Sequence, residues 1–415
     1  MKVDNAETPR TNSPKGPLSG LKVLEFGQIA AGPFTGSLLA DLGADVVKVE
    51  NPKGGDGMRG WPPLTPSPDG EGVFSENFAS INRNKRSLTA NLKDPETVAR
   101  LKQLIATADI VVENFRAGVL PRLGLGYEDA VKLNPAIVYC SISGYGQNGP
   151  YAAKGAFDVT VQAMSGLMSV TGEDARPPVK CGVPVGDFCA GLYAAFTILA
   201  AVRQASATGQ GAYIDCSMLG SLIGVAALQT SEYFGTGRSG RRLASAHPRN
   251  APYQAFRAKD DYFVIAAGNN ELWRQVAEAV GWPELVDDPR FKTQSERARN
   301  QVELAALLEE RFAARTAAEW LVEMDARGVP CSPINGYAEI LSDPQVEALG
   351  LVRPLTLPNG VNTRTTAYPV HLSGYEFQIT RPVPELGEHT AEVYDEWLAE
   401  PDVNSASLKR SGGAR

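Results

Sequence analysis

Leu21-Lys22-Val23-Leu24-Glu25-Phe26-Gly27-Gln28-Ile29-Ala30-Ala31-Gly32-Pro33-Phe34 is the stretch that decides the fold. Residues 21–26 form a short apolar strand, a turn of small residues follows, a helix runs over 33–42, and 44–49 supply a second strand: a βαβ unit. Downstream, an amphipathic helix over 95–108 leads into a strand at 109–113, and 136–142 supply another. An Ala-rich helix over 191–204 turns at 208–211 into the segment 212–217. Strands alternating with helices predict an α/β chain with a parallel, doubly wound sheet covered on both faces.

At 415 residues the chain exceeds what one core usually holds, so two domains are expected. The texture changes beyond Met218. A basic, turn-rich segment at 238–250 suits a linker or an active-site loop, a strand covers 262–267, and helices follow at 272–280, 300–312 and 317–326. The expected division is therefore a tail at 1–17, a large domain over 18–224, a small α/β domain over 225–330, a return segment over 331–400 and a tail at 401–415. The tract 329–384 carries short strands, and 391–398 form a closing helix. No internal repeat with a period of 20 to 50 residues is visible.

A net charge of −7 speaks against a nucleic-acid partner, whose footprint would be a basic stripe. The first 17 residues lack the apolar core of a secretory signal, so residence in the cytosol is expected. Counting uninterrupted apolar residues, no run reaches the length of about 18 needed to span a bilayer, so no membrane association is expected. Cys140, Cys181, Cys189, Cys216 and Cys331 lie far apart without a C-x-x-C pair, and with only three histidines no metal site is expected.

The first βαβ unit invites a dinucleotide-binding reading, with Gly27, Gly32 and, at the end of the second strand, Glu50. The middle glycine of that fingerprint is replaced by Ile29, whose branched side chain would block pyrophosphate from the backbone. Ala30 and Ala31 still leave backbone N–H groups open near a helix start. A literal G-x-G-x-x-G at Gly144–Gly149 follows a strand but runs into Pro150 rather than a helix, so it reads as a turn with some ligand role. Neither a G-x-S-x-G elbow nor a Walker A lysine motif occurs.

The segment Gly155-Ala156-Phe157-Asp158-Val159-Thr160-Val161-Gln162-Ala163-Met164-Ser165-Gly166 places one acid where a loop becomes a helix. An Asp ahead of an apolar-periodic run is ordinarily an N-cap. The alternative is a nucleophile, and the surrounding sequence favours it. Leu24-Glu25-Phe26 with Ala31-Gly32-Pro33-Phe34, the run Leu39 to Glu50, Asn82-Arg83-Asn84-Lys85-Arg86-Ser87, Val112-Glu113-Asn114-Phe115, Ser143-Gly144-Tyr145-Gly146 and the Asp158 segment together resemble the class III CoA-transferase family. This group contains formyl-CoA and carnitine CoA-transferases, and the likeness runs in order from about residue 18 to about residue 395.

The resemblance implies a Rossmann-like large domain built from both ends of the chain, a smaller domain between two linkers, and a homodimer of interlocked rings. It implies coenzyme A as a substrate thioester, with Asp158 attacking the acyl-CoA to give a mixed anhydride and then an aspartyl-CoA thioester. Ala30 and Ala31 would meet the pantetheine, Asn82, Arg83, Asn84, Lys85, Asn114 and Phe115 the nucleotide, Arg122 a phosphate, and Ser143, Gly144, Tyr145 and Gly146 the thiol end. Read without the family, Lys85 and Arg86 are a solvated basic turn and Phe115 a core residue; Arg59 is a further loop cation. Gly268, Asn269 and Asn270 could supply oxyanion donors or a lid, and read equally well as an ordinary β-turn.

The residues at 246–256 and 267–270 look most like members that use succinyl-CoA and a small dicarboxylate, and Arg249 is suited to clamp the second carboxylate. Racemases of α-methylacyl-CoA are similar but need a His beside the Asp. Here the neighbour is Phe157 and the histidines are His247, His371 and His389, so transfer is expected over racemisation. A non-catalytic CoA-binding relative is disfavoured by Asp158 itself.

Overall fold

The computed structural model describes residues 16–399, so the tails expected at 1–17 and 401–415 lie, but for Gly16 and Pro17, outside the described residues. Six strands form one sheet: β1 (Lys22–Phe26), β2 (Asp45–Glu50), β3 (Lys85–Thr89), β4 (Ile110–Glu113), β5 (Val138–Ser143) and β6 (Ala212–Ser217). Their order across the sheet is β3-β2-β1-β4-β5-β6, and every neighbouring pair is parallel. This is the doubly wound order in which the chain reverses direction of travel between β1 and β4. Ligands of such sheets bind outside the carboxyl ends of the strands at that switch point.

β3 is the strand the sequence hides. Lys85-Arg86-Ser87-Leu88-Thr89 carries two adjacent cations, yet Lys85 and Arg86 are 0% and 1% exposed, which corrects the reading of a solvated basic turn. Each is neutralised inside the fold: Lys85 pairs with Glu25 at 2.8 Å, and Arg86 with Asp45, Glu392 and Glu396. The last two acids belong to the C-terminal helix Thr390–Leu398, whose Val393, Tyr394 and Trp397 join the core under the sheet.

The Ala-rich helix is longer than its composition suggests, Val185–Thr208 rather than 191–204. It packs on β5, β6 and the Ala31–Asp41 helix. Small residues make that approach close: a Cβ on Gly191 would lie 2.7 Å from Phe34 Cδ1. By length and composition this helix could also cross a membrane. Asp187 and Arg203 interrupt it, so no unbroken apolar run of that length occurs.

The chain divides into two compact units. The first gathers the residues before 166, 182–227 and those from 349 on; the second comprises 166–181 and 228–348. The early segment belongs to the second because Glu173 bridges Leu243, and Arg241 and Arg242 both reach Asp174. The second unit holds an antiparallel sheet of Tyr253–Arg257, Tyr262–Ala266 and Cys331–Pro333. Helices Asn270–Ala279, Gln301–Phe312 and Ala317–Ala326 contribute Trp273, Phe312 and Trp320 to its core.

Candidate active site

A cleft of about 280 Å³ opens at the switch point. Its walls are the loop after β1 (Gln28, Ile29, Ala30, Ala31), the loop after β4 (Asn114 to Ala117) and the end of β5 (Ile142 to Gly144), together with Asp158 and Asp187. The loops are shaped from beneath. In-register partners Glu25 on β1 and Lys48 on β2 form a fully buried pair at 3.0 Å, and Lys48 also meets Asp56 at 2.9 Å and the Gly27 carbonyl at 2.7 Å. Both Asp56 oxygens accept the N–H of Ile29, at 3.0 and 3.1 Å.

Ile29 needs that restraint, since its φ of 65° lies in the left-handed region. For a β-branched residue this conformation costs about 1–3 kcal/mol and persists only where the surroundings over-determine it. Burial works against the charge of Lys48, but Glu25, Asp56 and Glu50 together hold its ammonium well above the usual lysine range. Burial brings Lys85 down to about 8 despite Glu25.

The β4 side is pinned to the β1 side by one amide. Asn114 accepts from the Gln28 N–H at 2.8 Å and donates to the Gln28 carbonyl at 2.9 Å, as a neighbouring strand would. Phe115 lines the cleft and packs partly on the main core. Gly144 is a close approach: a Cβ there would sit 2.1 Å from that of Ala156, two residues before Asp158.

Asp158 is the first residue of the Asp158–Met164 helix, not its N-cap. Its carboxylate is bound by other parts of the fold: Oδ1 accepts the Gly186 N–H at 2.8 Å and Oδ2 accepts Gln162 Nε2 at 2.6 Å. The Gly186 N–H is one of the orphan donors at the start of the 24-residue Val185–Thr208 helix, so the acid faces the positive end of that helix. Asp187, next along, lines the same cleft. Burial and then the charge of Asp158 raise its carboxyl to about 6, against the pull of a hydrogen bond from the Ala31 backbone.

The remaining candidates are dispersed. Asn82 to Lys85 do not line the cleft; Arg83 pairs with Asp41 at 2.6 Å, Asn84 accepts from the backbone of Thr380 and Arg381, and Lys85 donates to Asn82 and to the Pro33 carbonyl. These side chains brace the sheet edge. Arg59 is likewise internal, bound to Glu50 at 2.6 Å and stacked over Phe78, and Glu50 is thereby occupied. Arg122 is exposed at the end of a short helical turn whose Leu120 is buried, while Tyr145 and Gly146 continue past the cleft in a turn closed by Ser143 Oγ on the Gly146 N–H at 2.9 Å. In the second unit, Asn269 caps the Asn270–Ala279 helix by accepting from Leu272, Asn270 accepts from Arg297, and Arg249 pairs with Glu232 at 3.1 Å. Two cleft cations, Arg116 and Lys154, and the acid Asp187 were not singled out in the sequence.

A nucleotide-type sheet carrying an acid rather than a glycine-rich phosphate loop at its switch point matches one family model, CoA-transferase family III, over residues 18–390. The chain belongs to CoA-transferase family III. It is 40% identical over 383 residues to a succinate–glutarate CoA-transferase of Agrobacterium fabrum, covering 92% of this chain and 96% of that one. It is 39% identical over 397 residues to a human succinyl-CoA:glutarate CoA-transferase, covering 95% and 89%. Among solved structures, a CAIB/BAIF family protein from Brucella suis superposes with a TM-score of 0.82 at 40% identity, covering 92% of this chain and all of that one. The protein is thus an enzyme of the CoA-transferase class, with coenzyme A carried as a thioester substrate. None of the residues lining the cleft is a histidine.

Proposed function

We propose that the enzyme moves CoA from succinyl-CoA to a small dicarboxylic acid by covalent catalysis at Asp158. One observation carries the reading: the Asp158 carboxylate stands in the switch-point cleft, oriented by Gly186 and Gln162. The acid attacks the thioester carbonyl to give a mixed anhydride, and CoA thiolate then attacks the aspartyl carbonyl. The acceptor carboxylate repeats the two steps in reverse. A carboxylate nucleophile conserves the acyl activation as long as water is kept out.

The open backbone at Ala30 and Ala31 suits pantetheine, and Asn114, Phe115, Ser143 and Gly144 would flank it on the opposite wall. Arg116 and Lys154 are the cleft's cations for anionic groups. Gly268, Asn269 and Asn270 as oxyanion or lid residues, and Arg249 as the clamp on the acceptor's second carboxylate, belong to the same proposal. The names of the two relatives support succinyl-CoA as donor and glutarate as the first acceptor to try. Cytosolic residence completes the reading and is checked by cell fractionation.

Mass spectrometry after incubation with succinyl-CoA tests the chemistry. The wild type should show a hydroxylamine-sensitive adduct at Asp158, and D158N neither adduct nor transfer; undiminished CoA exchange by D158N would sink the reading. We also propose that the protein works as a homodimer. Phe157, next to the nucleophile, and Leu192 and Phe196, one turn apart on the Val185–Thr208 helix, are 71%, 55% and 75% exposed, apolar side chains that a second copy would cover. F196E should then sediment as a monomer, whereas an unchanged sedimentation coefficient would exclude this face.

A further inference from the structure

Two carboxylates share the cleft, and one turn of backbone ties them together. Gly186 gives its N–H to Asp158 Oδ1, and the adjacent Asp187 receives the backbone of Ala31. The charged groups lining the cleft are Asp158, at the start of its helix, Arg116 after β4, Lys154 in the loop before Asp158, and Asp187 itself. The Ala31–Asp41 helix, packed against Val185–Thr208, brings only backbone to Asp187 at this end.

Two negative charges in a partly dry cleft repel, so Asp187 releases its proton only as pH rises through about 6. Asp158 receives hydrogen bonds on both oxygens, from Gly186 and from Gln162, and an ionised carboxylate is the acceptor-only form that fits this. Below about pH 6 the cleft's proton therefore sits on Asp187, whose affinity for it is raised by burial and by Asp158.

The chemistry at Asp158 calls for a proton at one step. As the acid attacks a thioester, the C–S bond breaks and its electron pair leaves on sulfur; an alkyl thiolate is the conjugate base of a weak acid, with a thiol pKa of roughly 8.5. Acylation also cancels the charge of Asp158. The repulsion that kept the proton on Asp187 disappears in the step that creates the thiolate.

We propose that Asp187 is the acid–base partner of the reaction, protonating the sulfur of CoA as its thioester breaks and recovering that proton when the thiol attacks the acylated Asp158. This rests on the reading of Asp158 as nucleophile. In the forward step the S–H bond forms as the Asp187 O–H bond breaks, leaving Asp187 ionised beside a neutral anhydride. In the return step the Asp187 carboxylate takes the thiol proton, the sulfur pair forms the C–S bond to the aspartyl carbonyl, and the organic carboxylate leaves.

The test compares two succinyl thioesters in single-turnover acylation of Asp158, read by mass spectrometry: succinyl-CoA and the 4-nitrothiophenyl ester, whose thiolate departs without help. D187N should be slowed about 100-fold with succinyl-CoA and about 2-fold or less with the aryl thioester, the range expected for loss of general acid catalysis. In the wild type the reaction with succinyl-CoA should fall as pH rises through about 6, as Asp187 loses its proton, and the aryl thioester should show no such limb. Equal slowing of D187N with both thioesters would reduce Asp187 to a cap on Ala31 and overturn the proposal. Should D187N fail to fold, the two wild-type pH profiles decide it, and coincident profiles refute it. Absence of any Asp158 adduct in the wild type with either thioester sinks the nucleophile reading as well, and is recognised before any variant is compared.

Discussion

A single methyl group at Gly186 tests whether the nucleophile is held by the start of the long helix. A Cβ at this position would lie 2.9 Å from Asp158 Oδ1, 3.3 Å from Met218 Cε and 3.6 Å from Leu222 Cδ1. The last contact is ordinary and the second yields by a small turn of a flexible side chain, so the strain falls on the carboxylate. To regain normal contact the oxygen must retreat by about half an ångström, stretching a 2.8 Å hydrogen bond from the Gly186 N–H. A hydrogen bond to a charged group contributes roughly 1.5–3 kcal/mol, and a misplacement of about 1 Å costs about 100-fold in rate. We expect G186A to lower kcat by about 10- to 100-fold. Stability should move little, because alanine is favoured over glycine in a helix by up to about 1 kcal/mol, which offsets the local strain. The assay is steady-state CoA transfer from succinyl-CoA to glutarate alongside thermal denaturation. A kcat within about 2-fold of wild type would show that the Gly186 contact does not orient the nucleophile.

Two further predictions test the ground beneath and beyond the cleft. Burial raises the Glu113 carboxyl to about 7, so the folded state holds its proton more tightly than the unfolded chain does; stability is fully present below about 4.5 and is lost as pH rises through 7, by about 3 kcal/mol. E113Q, which can still accept from the Phe115 N–H, should flatten that decline in urea denaturation between about pH 5 and about pH 8, and equal losses in variant and wild type would refute the assignment. R249A should raise the KM for a dicarboxylic acceptor far more than for a monocarboxylic one, and equal effects would dismiss the clamp.

What was legible in the sequence follows from which forces are local. β1, β2 and β4 announce themselves as short apolar runs because both faces of a parallel sheet are covered, and their positions agree with the structure to within a residue or two. β3 was not legible, since the acids that neutralise it are far away in sequence: Glu25 for Lys85, and Asp45, Glu392 and Glu396 for Arg86. The true start of the long helix was hidden for the opposite reason. Gly186 and Asp187 look like a break before an Ala-rich run, and the sequence gives no sign that both are aimed at Asp158 and Ala31.

The same contrast separates the residues of the cleft from those of the frame. Ala30, Ala31, Asn114, Phe115, Ser143 and Gly144 were found by motif and do line the cleft, whereas Asn82 to Lys85 belong to an equally distinctive motif and do not. Physical chemistry separates the two groups once partners are known. Lys85 spends its ammonium on Glu25, Asn82 and the Pro33 carbonyl, and Glu25 in turn holds Lys48, which holds Asp56, which holds Ile29 in its strained turn. The charged motif thus reaches the cleft through four links rather than by contact. Removing one member of such a buried chain leaves an unpaired charge, a loss of about 3–5 kcal/mol, while its substitution need not touch the nucleophile. The distinctive residues of this chain therefore do two kinds of work. The acids at 158 and 187 carry the chemistry proposed for the cleft, and the buried cations keep the backbone of Ile29, Ala30 and Ala31 where a substrate could lie against it.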